Sequence, residues 1–368
     1  MSYSKGVPRI LYVSGGTIDN GGISTYMRNY YRNIDKSKLQ IDFLVHGEKS
    51  VHDDEIISQG GMIYYAPIKR DNPIENTKIV TKILKSGKYS VVHAHMDGMN
   101  GLFLRQAKNC GIPIRISHSH NTDFLTSNLL KLLLHKFSRL LIGRYATDLW
   151  ACSEEAGRWL YGKNQFQLVR NAITIKNFEF SASTRQRIRK EFDFEGKFVI
   201  GHIGKLSYQK NQSFLIDIFD KFQKINEDSI LVLVGEGEDK LFLQEKANRL
   251  GLSSKVFFLG ERDNVSDLLN AFDVFVFPSR FEGLGIVAIE AQTNGLYCIC
   301  STKVPKEVNI TGNVIFHNLE ESVDEWVDSI RNISTRDVNS KEKVFNAGYD
   351  IEFAARELEK KYLELVEK

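Results

Sequence analysis

At 368 residues the chain is too long for one ordinary α/β domain and suits two of about 150–200 residues each. With 42% hydrophobic and 26% charged residues it is a soluble globular protein and not a disordered one. A formal net charge of only +3 excludes a nucleic-acid coat, and no run approaches the roughly 18 apolar residues of a membrane span.

Met1 to Pro8 is polar and the apolar Ile10–Val13 is only a strand's length, so no signal peptide is expected. Short β-branched runs then alternate with amphipathic stretches, the pattern of parallel βαβ units. Strands are predicted at 9–15, 41–47, 89–96, 112–120 and 147–153. After the first comes SGGTIDNGGIST (14–25), which lacks the G-x-G-x-x-G fingerprint and so speaks against a dehydrogenase. Gly21-Gly22 still opens a helix, Ser24 to Arg32, where backbone can approach a phosphate or simply turn.

The third and fourth strands end in His93-Ala-His95 and His118-Ser-His120. Residues two apart on a strand share a face, so each pair could bind a metal, and a binuclear metallohydrolase is a rival reading. The later histidines, His135, His202 and His317, bring none of the carboxylates such a site needs. His93 and His118 read as structural. His120, followed by the polar Asn121 and Thr122, reads as functional at the mouth of a cleft. A helix over 127–144 gathers Leu129, Leu130, Leu133, Leu134, Phe137, Leu140 and Leu141 on an arc expected to dock on its own sheet. Lys131, His135, Lys136 and Arg139 would stay wet, available to anionic lipid.

The polar stretch Lys176 to Gly196 breaks the pattern and is read as a linker, with its Arg185–Lys190 charges solvated. A second strand series follows at 198–206, 229–237, 255–260, 274–279 and 296–302. In GHIGKLSYQKN (201–211), Lys205 and Lys210 flank a loop before a helix, either as a diphosphate grip or as a solvated loop. In FPSRFEGLGIVAIEAQTNG (277–295), Glu282 precedes a helix and Glu290 lies about two turns further on. Val287, Ala288, Ile289 and Ala291 surround Glu290, and a carboxylate in apolar company needs a partner. The cysteines (Cys110, Cys152, Cys298 and Cys300) form no C-x-x-C pair and are expected as reduced thiols. A last helix, Phe353 to Glu367, has one apolar side.

These motifs together resemble the retaining glycosyltransferases of family 4, most closely the branch that builds bacterial exopolysaccharides and capsules. The resemblance rests on Gly21-Gly22, VVHAHM (91–96), HSHN (118–121), ACSEEAGRWLYG (151–162), VRNAI (169–173), GKLSYQKN (204–211), LVLVGEGE (231–238) and the Glu-x7-Glu of 282–290. It implies an α/β protein of two doubly wound Rossmann-like domains facing across a cleft, the GT-B type. The domains would span 1–178, with the C-terminal helix 350–368 packed back on it, and 179–349. It implies transfer of a hexose or N-acetylhexosamine from a nucleotide-sugar donor, UDP before GDP, to a glycan or lipid-linked acceptor. A nucleotide-sugar 2-epimerase of the same architecture is the alternative.

By the same resemblance Glu290 meets the donor ribose and Glu282 the donor sugar. Lys210 and Lys205 meet the diphosphate, as does the Gly22 N–H, and His120 meets the sugar. Backbone at Leu284, Gly285 and Ile286 would hold sugar hydroxyls, and Arg262 to Val265 would border the base. No metal or other cofactor is expected, and no nucleic acid. Localisation is expected in the cytoplasm, at the inner face of the plasma membrane. Lysine at 205 replaces the family's commoner arginine, and Asn171-Ala172 its usual Asn-Gly.

Overall fold

The computed structural model describes residues 7–124, 128–334, 336–337 and 339–367. The chain divides into two compact units: residues up to Ala172 joined by those from Ile351 onward, and Ile173–Asp350.

Unit 1 begins with β1 (Arg9–Ser14), α1 (Gly22–Asn33), β2 (Gln40–His46), α2 (Asp53–Ser58) and β3 (Ile63–Ala66). It continues with α3 (Pro73–Leu84), β4 (Val91–His95), α4 (Asn100–Asn109), β5 (Ile114–Ser119) and α5 (Leu129–Tyr145). β6 (Asp148–Ala151), α6 (Glu154–Tyr161) and β7 (Gln167–Leu168) complete its first segment. The seven strands form one parallel sheet in the order β3-β2-β1-β4-β5-β6-β7. Runs such as Ile10–Val13 are buried on both faces because helices cover both sides of a parallel sheet.

Unit 2 opens with α7 (Ala182–Glu191), β8 (Phe198–Ile203), α8 (Gln212–Phe222), β9 (Ser229–Val234) and α9 (Lys240–Arg249). Next come β10 (Val256–Gly260), α10 (Val265–Ala271), β11 (Val274–Phe277), α11 (Ile286–Thr293) and β12 (Cys298–Ser301). β13 (Val314–His317), α12 (Val323–Arg331) and α13 (Ser340–Asn346) close it. Its six strands are parallel in the order β10-β9-β8-β11-β12-β13. The chain is therefore two Rossmann-like α/β units in series.

The final helix, α14 (Ile351–Glu367), is part of unit 1. Its Ile351, Ala355, Leu358 and Tyr362 enter the same core as Tyr12, Tyr30 and Trp150. The Tyr362 hydroxyl donates to Tyr12 Oη at 2.9 Å, and Glu359 accepts from the Asp35 N–H at 2.9 Å.

Two expectations are corrected. The stretch read as a linker, 176–196, is folded: α7 belongs to unit 2, and the unit boundaries fall at 172/173 and 350/351. Arg185 and Arg189 are not solvated but fork the Asp273 carboxylate and bond to the carbonyls that end α10. The helix read over 127–144 starts, among the described residues, at Leu129, residue 127 lying outside them. Its leucine arc faces solvent instead of the sheet.

Removing the Tyr362 side chain should open a cavity beneath α14. Tyr362→Ala is expected to cost about 3–5 kcal/mol in urea unfolding, as for other buried aromatics. Tyr362→Phe, which loses only the hydroxyl bonds, should cost about 1–2 kcal/mol. An alanine variant as stable as the parent would show that α14 is peripheral to the fold of unit 1.

Candidate functional site

Doubly wound sheets bind ligands beyond the carboxyl ends of their strands, where strand order reverses. In unit 2 the reversal lies between β8 and β11. The loops leaving these two strands, 204–211 and 278–285, hold Lys205, Lys210, Glu282, Leu284 and Gly285.

Those loops are joined rung by rung. The Arg280 N–H donates to Gln209 O at 2.8 Å, and Gln209 Nε2 donates to Phe281 O at 3.1 Å. Arg280 Nη2 donates to Asn211 Oδ1 at 2.8 Å, while Asn211 Nδ2 donates to Pro278 O at 3.1 Å. The Arg280 guanidinium also covers the Tyr208 ring at 4.5 Å. Asn211 itself is left-handed, φ 58°, a conformation asparagine tolerates, and it directs the chain into α8.

Lys210 and Glu282 meet across this seam, Nζ to Oε1 2.6 Å, with side chains only 16% and 7% exposed. The ammonium also lies 4.8 Å from the centroid of the Phe277 ring. Below the pair, the loop after β9 comes so close that side chains have no room. A Cβ on Gly235 would stand 2.2 Å from Gly204 O, and one on Gly237 2.1 Å from Leu206 O. The glycines of LVLVGEG thus let three loops stack.

Lys205 differs from Lys210. It is exposed and pairs with the exposed Glu238 at 2.8 Å, a contact that water weakens.

α11 opens at left-handed Gly285, φ 87°, and neither it nor α8 has a side-chain cap. Their first N–H groups therefore present positive helix ends toward Leu284–Ile286 and Lys210–Asn211. Glu290 lies in the second turn of α11, beside buried Val287, Ala288, Ile289 and Ala291. Among the described residues no ion pair or side-chain hydrogen bond meets its carboxyl, and loss of hydration pushes it up to about 8. Ser279 Oγ and Arg280 Nε are likewise buried without a partner among the described residues. Val265 opens α10 after the edge strand β10, two strands from β8, so it is not part of the Lys210–Glu282 seam.

In unit 1 the order reverses between β1 and β4. Gly22 is the first residue of α1, uncapped and exposed, with nothing within 4 Å of where a Cβ would sit. All four strand-end histidines are buried, which corrects the expectation that His120 and Asn121 line a wet lip. His118 and His120 stack at 4.1 Å between centroids, as alternation along the strand dictates. His95 Nδ1 lies 2.8 Å from His120 Nε2, and His93 Nε2 3.0 Å from His118 Nδ1. Burial holds His120 down at about 3, hence neutral, and its Nδ1 has no partner among the described residues. His93, His95 and His118 have ring nitrogens within 4.8 Å of one another, a spacing a cation can use. His93, however, already spends both nitrogens, on Tyr362 Oη and on His118.

Several site residues escaped the sequence reading. Arg280, Asn211 and Tyr208 lie inside motifs that were singled out, but only the fold shows that the two motifs touch. Asp97 takes the His120 N–H at 2.7 Å and Asn121 Nδ2 at 2.6 Å, fixing that turn. The Asp-Gly after VVHAHM was the available signal.

The family described as Glycosyl transferases group 1 matches residues 184–350. The chain is 36% identical over 339 residues to the putative glycosyltransferase EpsF of Bacillus subtilis, covering 88% of this chain and 86% of that one. It is 28% identical over 348 residues to the capsular polysaccharide biosynthesis glycosyltransferase CapH of Staphylococcus aureus, covering 90% and 94%. Among solved structures, Anabaena Alr3699/HepE in complex with UDP and glucose shares the fold. The TM-score is 0.80 with 17% identity, over 97% of this chain and 100% of that one.

Two predictions follow from the geometry of unit 2. Lys210→Met removes the cation from the buried Glu282 carboxylate and should cost on the order of 3 kcal/mol in urea unfolding. Adding Glu282→Gln should recover most of that loss; no recovery would mean that the two side chains are not coupled. Glu290 has a folded pKa of about 8, above its ordinary 4.5. Its contribution is therefore full below that ordinary value and drains away as pH rises toward 8. Relative to Glu290→Gln, the parent should lose stability between about pH 5 and about pH 8.5. Parallel curves would place the carboxyl in water.

Proposed function

Because the chain belongs to the group 1 glycosyltransferases, we propose that it moves a sugar from a nucleoside-diphosphate donor onto a surface-polysaccharide precursor. The donor is a UDP-hexose or UDP-N-acetylhexosamine and the acceptor a glycan or lipid-linked saccharide, met in the cytoplasm at the inner membrane face. The Lys210–Glu282 pair at the strand reversal of unit 2 carries the reading.

The chemistry needs compensation for charge that grows on a departing diphosphate. As the anomeric carbon–oxygen bond breaks, its electron pair goes to the diphosphate oxygen; the acceptor hydroxyl forms the new bond and passes its proton to that departing oxygen. Lys210 is held close by Glu282 and Phe277, so it is preorganised and already largely stripped of water. We assign it to the diphosphate, helped by the uncapped starts of α8 and α11. Lys205, solvated and paired, contributes long-range charge. Once Lys210 engages phosphate, Glu282 is released to accept from a sugar hydroxyl.

The unpaired Glu290 carboxyl suits a ribose diol, which can both donate and accept. Backbone at Leu284, Gly285 and Ile286 suits hydroxyls of the sugar, and Val265 the edge of the base. His120 is neutral, its Nδ1 has no partner among the described residues, and it is assigned to orienting a sugar hydroxyl. Retention follows in this reading from departure and attack on one face, with no protein nucleophile and no metal. HepE, sharing the fold, binds UDP, which supports UDP over GDP.

Incubation with UDP-sugars and acceptor should release UDP and lengthen the acceptor, undiminished by EDTA. Conversion of the nucleotide sugar without acceptor and without UDP release would overturn the reading in favour of epimerisation. Lys210→Ala should lower turnover on the order of a hundredfold, and His120→Ala about 10- to 1,000-fold. The His120 variant should bind bare UDP as the parent does. Near-normal turnover of a folded Lys210→Ala enzyme would remove the phosphate assignment.

A further inference from the structure

Helix α5 turns its most apolar side outward. Leu129, Leu130, Leu133, Leu134, Phe137 and Leu140 are between 46% and 79% exposed. At 3.6 residues per turn, all of them but Leu134 fall within an arc of about 100°. The opposite side, which seats the helix, is built from small groups. Only Ser138 and Ile142 are buried, and α4 approaches through Gly101, where a Cβ would stand 1.9 Å from Ser138 O. The Leu102 N–H donates to Ser138 Oγ at 3.1 Å, fixing that crossing. A helix docked by serine and glycine leaves its leucines without a partner among the described residues.

Its charge points to one kind of cover. Residues 129–145 contain Lys131, Lys136, Arg139 and Arg144 and no acid. Among the described residues none of these cations is in an ion pair. Lys136 and Arg144 lie at the edge of and within the apolar arc, where a surface of leucine side chains would meet a layer carrying negative charge. A second copy of this chain would bring the same four cations against one another, at a repulsive cost. No helix here is long and apolar enough to cross a membrane, and α5, about 25 Å long, suits lying along one.

We propose that α5 is a membrane-docking helix that sinks its Leu130–Leu133–Phe137–Leu140 side into the interface of an anionic bilayer, with Lys136 and Arg144 among the headgroups. This stands apart from the sugar-transfer reading, because it rests on a surface remote from the Lys210–Glu282 loops in sequence and on different residues. It adds a place of work that no feature of the strand ends supplies.

The test is co-sedimentation of the full chain with vesicles of phosphatidylcholine alone or mixed with phosphatidylglycerol. Binding is expected to the mixed vesicles and to fall as salt is raised. Leu130→Gln/Leu133→Gln/Leu140→Gln should reduce it more than tenfold, and Lys136→Gln/Arg144→Gln about thirtyfold, near fivefold per cation. All five positions are exposed, so both variants should melt with the parent. A Leu133→Trp variant provides a second readout: its emission should shift to the blue with mixed vesicles and not with neutral ones. Equal binding by the glutamine variants, or no preference for phosphatidylglycerol, overturns the proposal. So does a parent dimer in solution that the triple variant dissociates, since a second copy would then be the cover.

Discussion

A cation and an anion removed from water are costly unless each completes the other, and the Lys210–Glu282 contact places both in unit 2 with little solvent. Much of the surrounding loop structure can be understood as holding them there. The two side chains come from the loops after strands β8 and β11, neighbours in the sheet, and lie 72 positions apart in sequence. The Gln209–Phe281 and Asn211–Pro278 bonds fix the distance between their loops, and Arg280 on Tyr208 covers the seam. Such a pair is poorly suited to stability alone, since two apolar side chains of the same volume would serve as well or better. Its use lies in what it stores: a desolvated ammonium with fixed direction, which strengthens any anion that replaces the glutamate.

Glu290 extends the same logic. Burial without a partner costs a carboxylate its charge, so at neutral pH the group is largely protonated and both donates and accepts. One helix thus begins beside a carboxylate compensated by lysine and bears, in its second turn, a carboxyl that no ion pair meets among the described residues. The buried, unpartnered Ser279 Oγ and Arg280 Nε lie on the same loop. Unsatisfied polar atoms beside a strand reversal are groups that a polar ligand can complete.

How much of this was legible in the sequence depends on burial. Strands β1, β2, β4 and β5 and β8, β9 and β11 are largely buried segments rich in apolar and β-branched residues, and the sequence marks each. β3, β7 and β13 were missed because they are short edge strands of four, two and four residues, partly exposed, whose composition resembles a loop. Lys210, Glu282 and Glu290 were marked by their settings, but nothing local distinguished solvated Lys205 from buried Lys210; that required the partners Glu238 and Glu282. The 176–196 stretch looked like a linker because its helix is rich in arginine. Arg185 and Arg189 owe their place to Asp273, some 85 residues away, a pairing no local pattern encodes. On α5 the leucine arc was located correctly and its orientation was not. Periodicity identifies an apolar face but not which face packs, and here Gly101 and Ser138 decided it.

The repeated topology makes the contrast between the units informative. Unit 2 places a lysine at its strand reversal; unit 1 places imidazoles at the equivalent strand ends and buries them too deeply to be charged. With the Tyr362 hydroxyl donating to Tyr12, Tyr362 Oη accepts from His93 Nδ1–H, and His93 Nε2 then accepts from His118 Nδ1–H. The tautomers are thereby set by a tyrosine of α14, the segment that returns from the far end of the chain. A neutral network of this kind cannot compensate a diphosphate. It can orient a hydroxyl through an unpaired ring nitrogen such as His120 Nδ1 without adding charge to the site. One fold used twice thus supplies two different electrostatic environments, a desolvated lysine–glutamate pair in unit 2 and neutral imidazoles in unit 1.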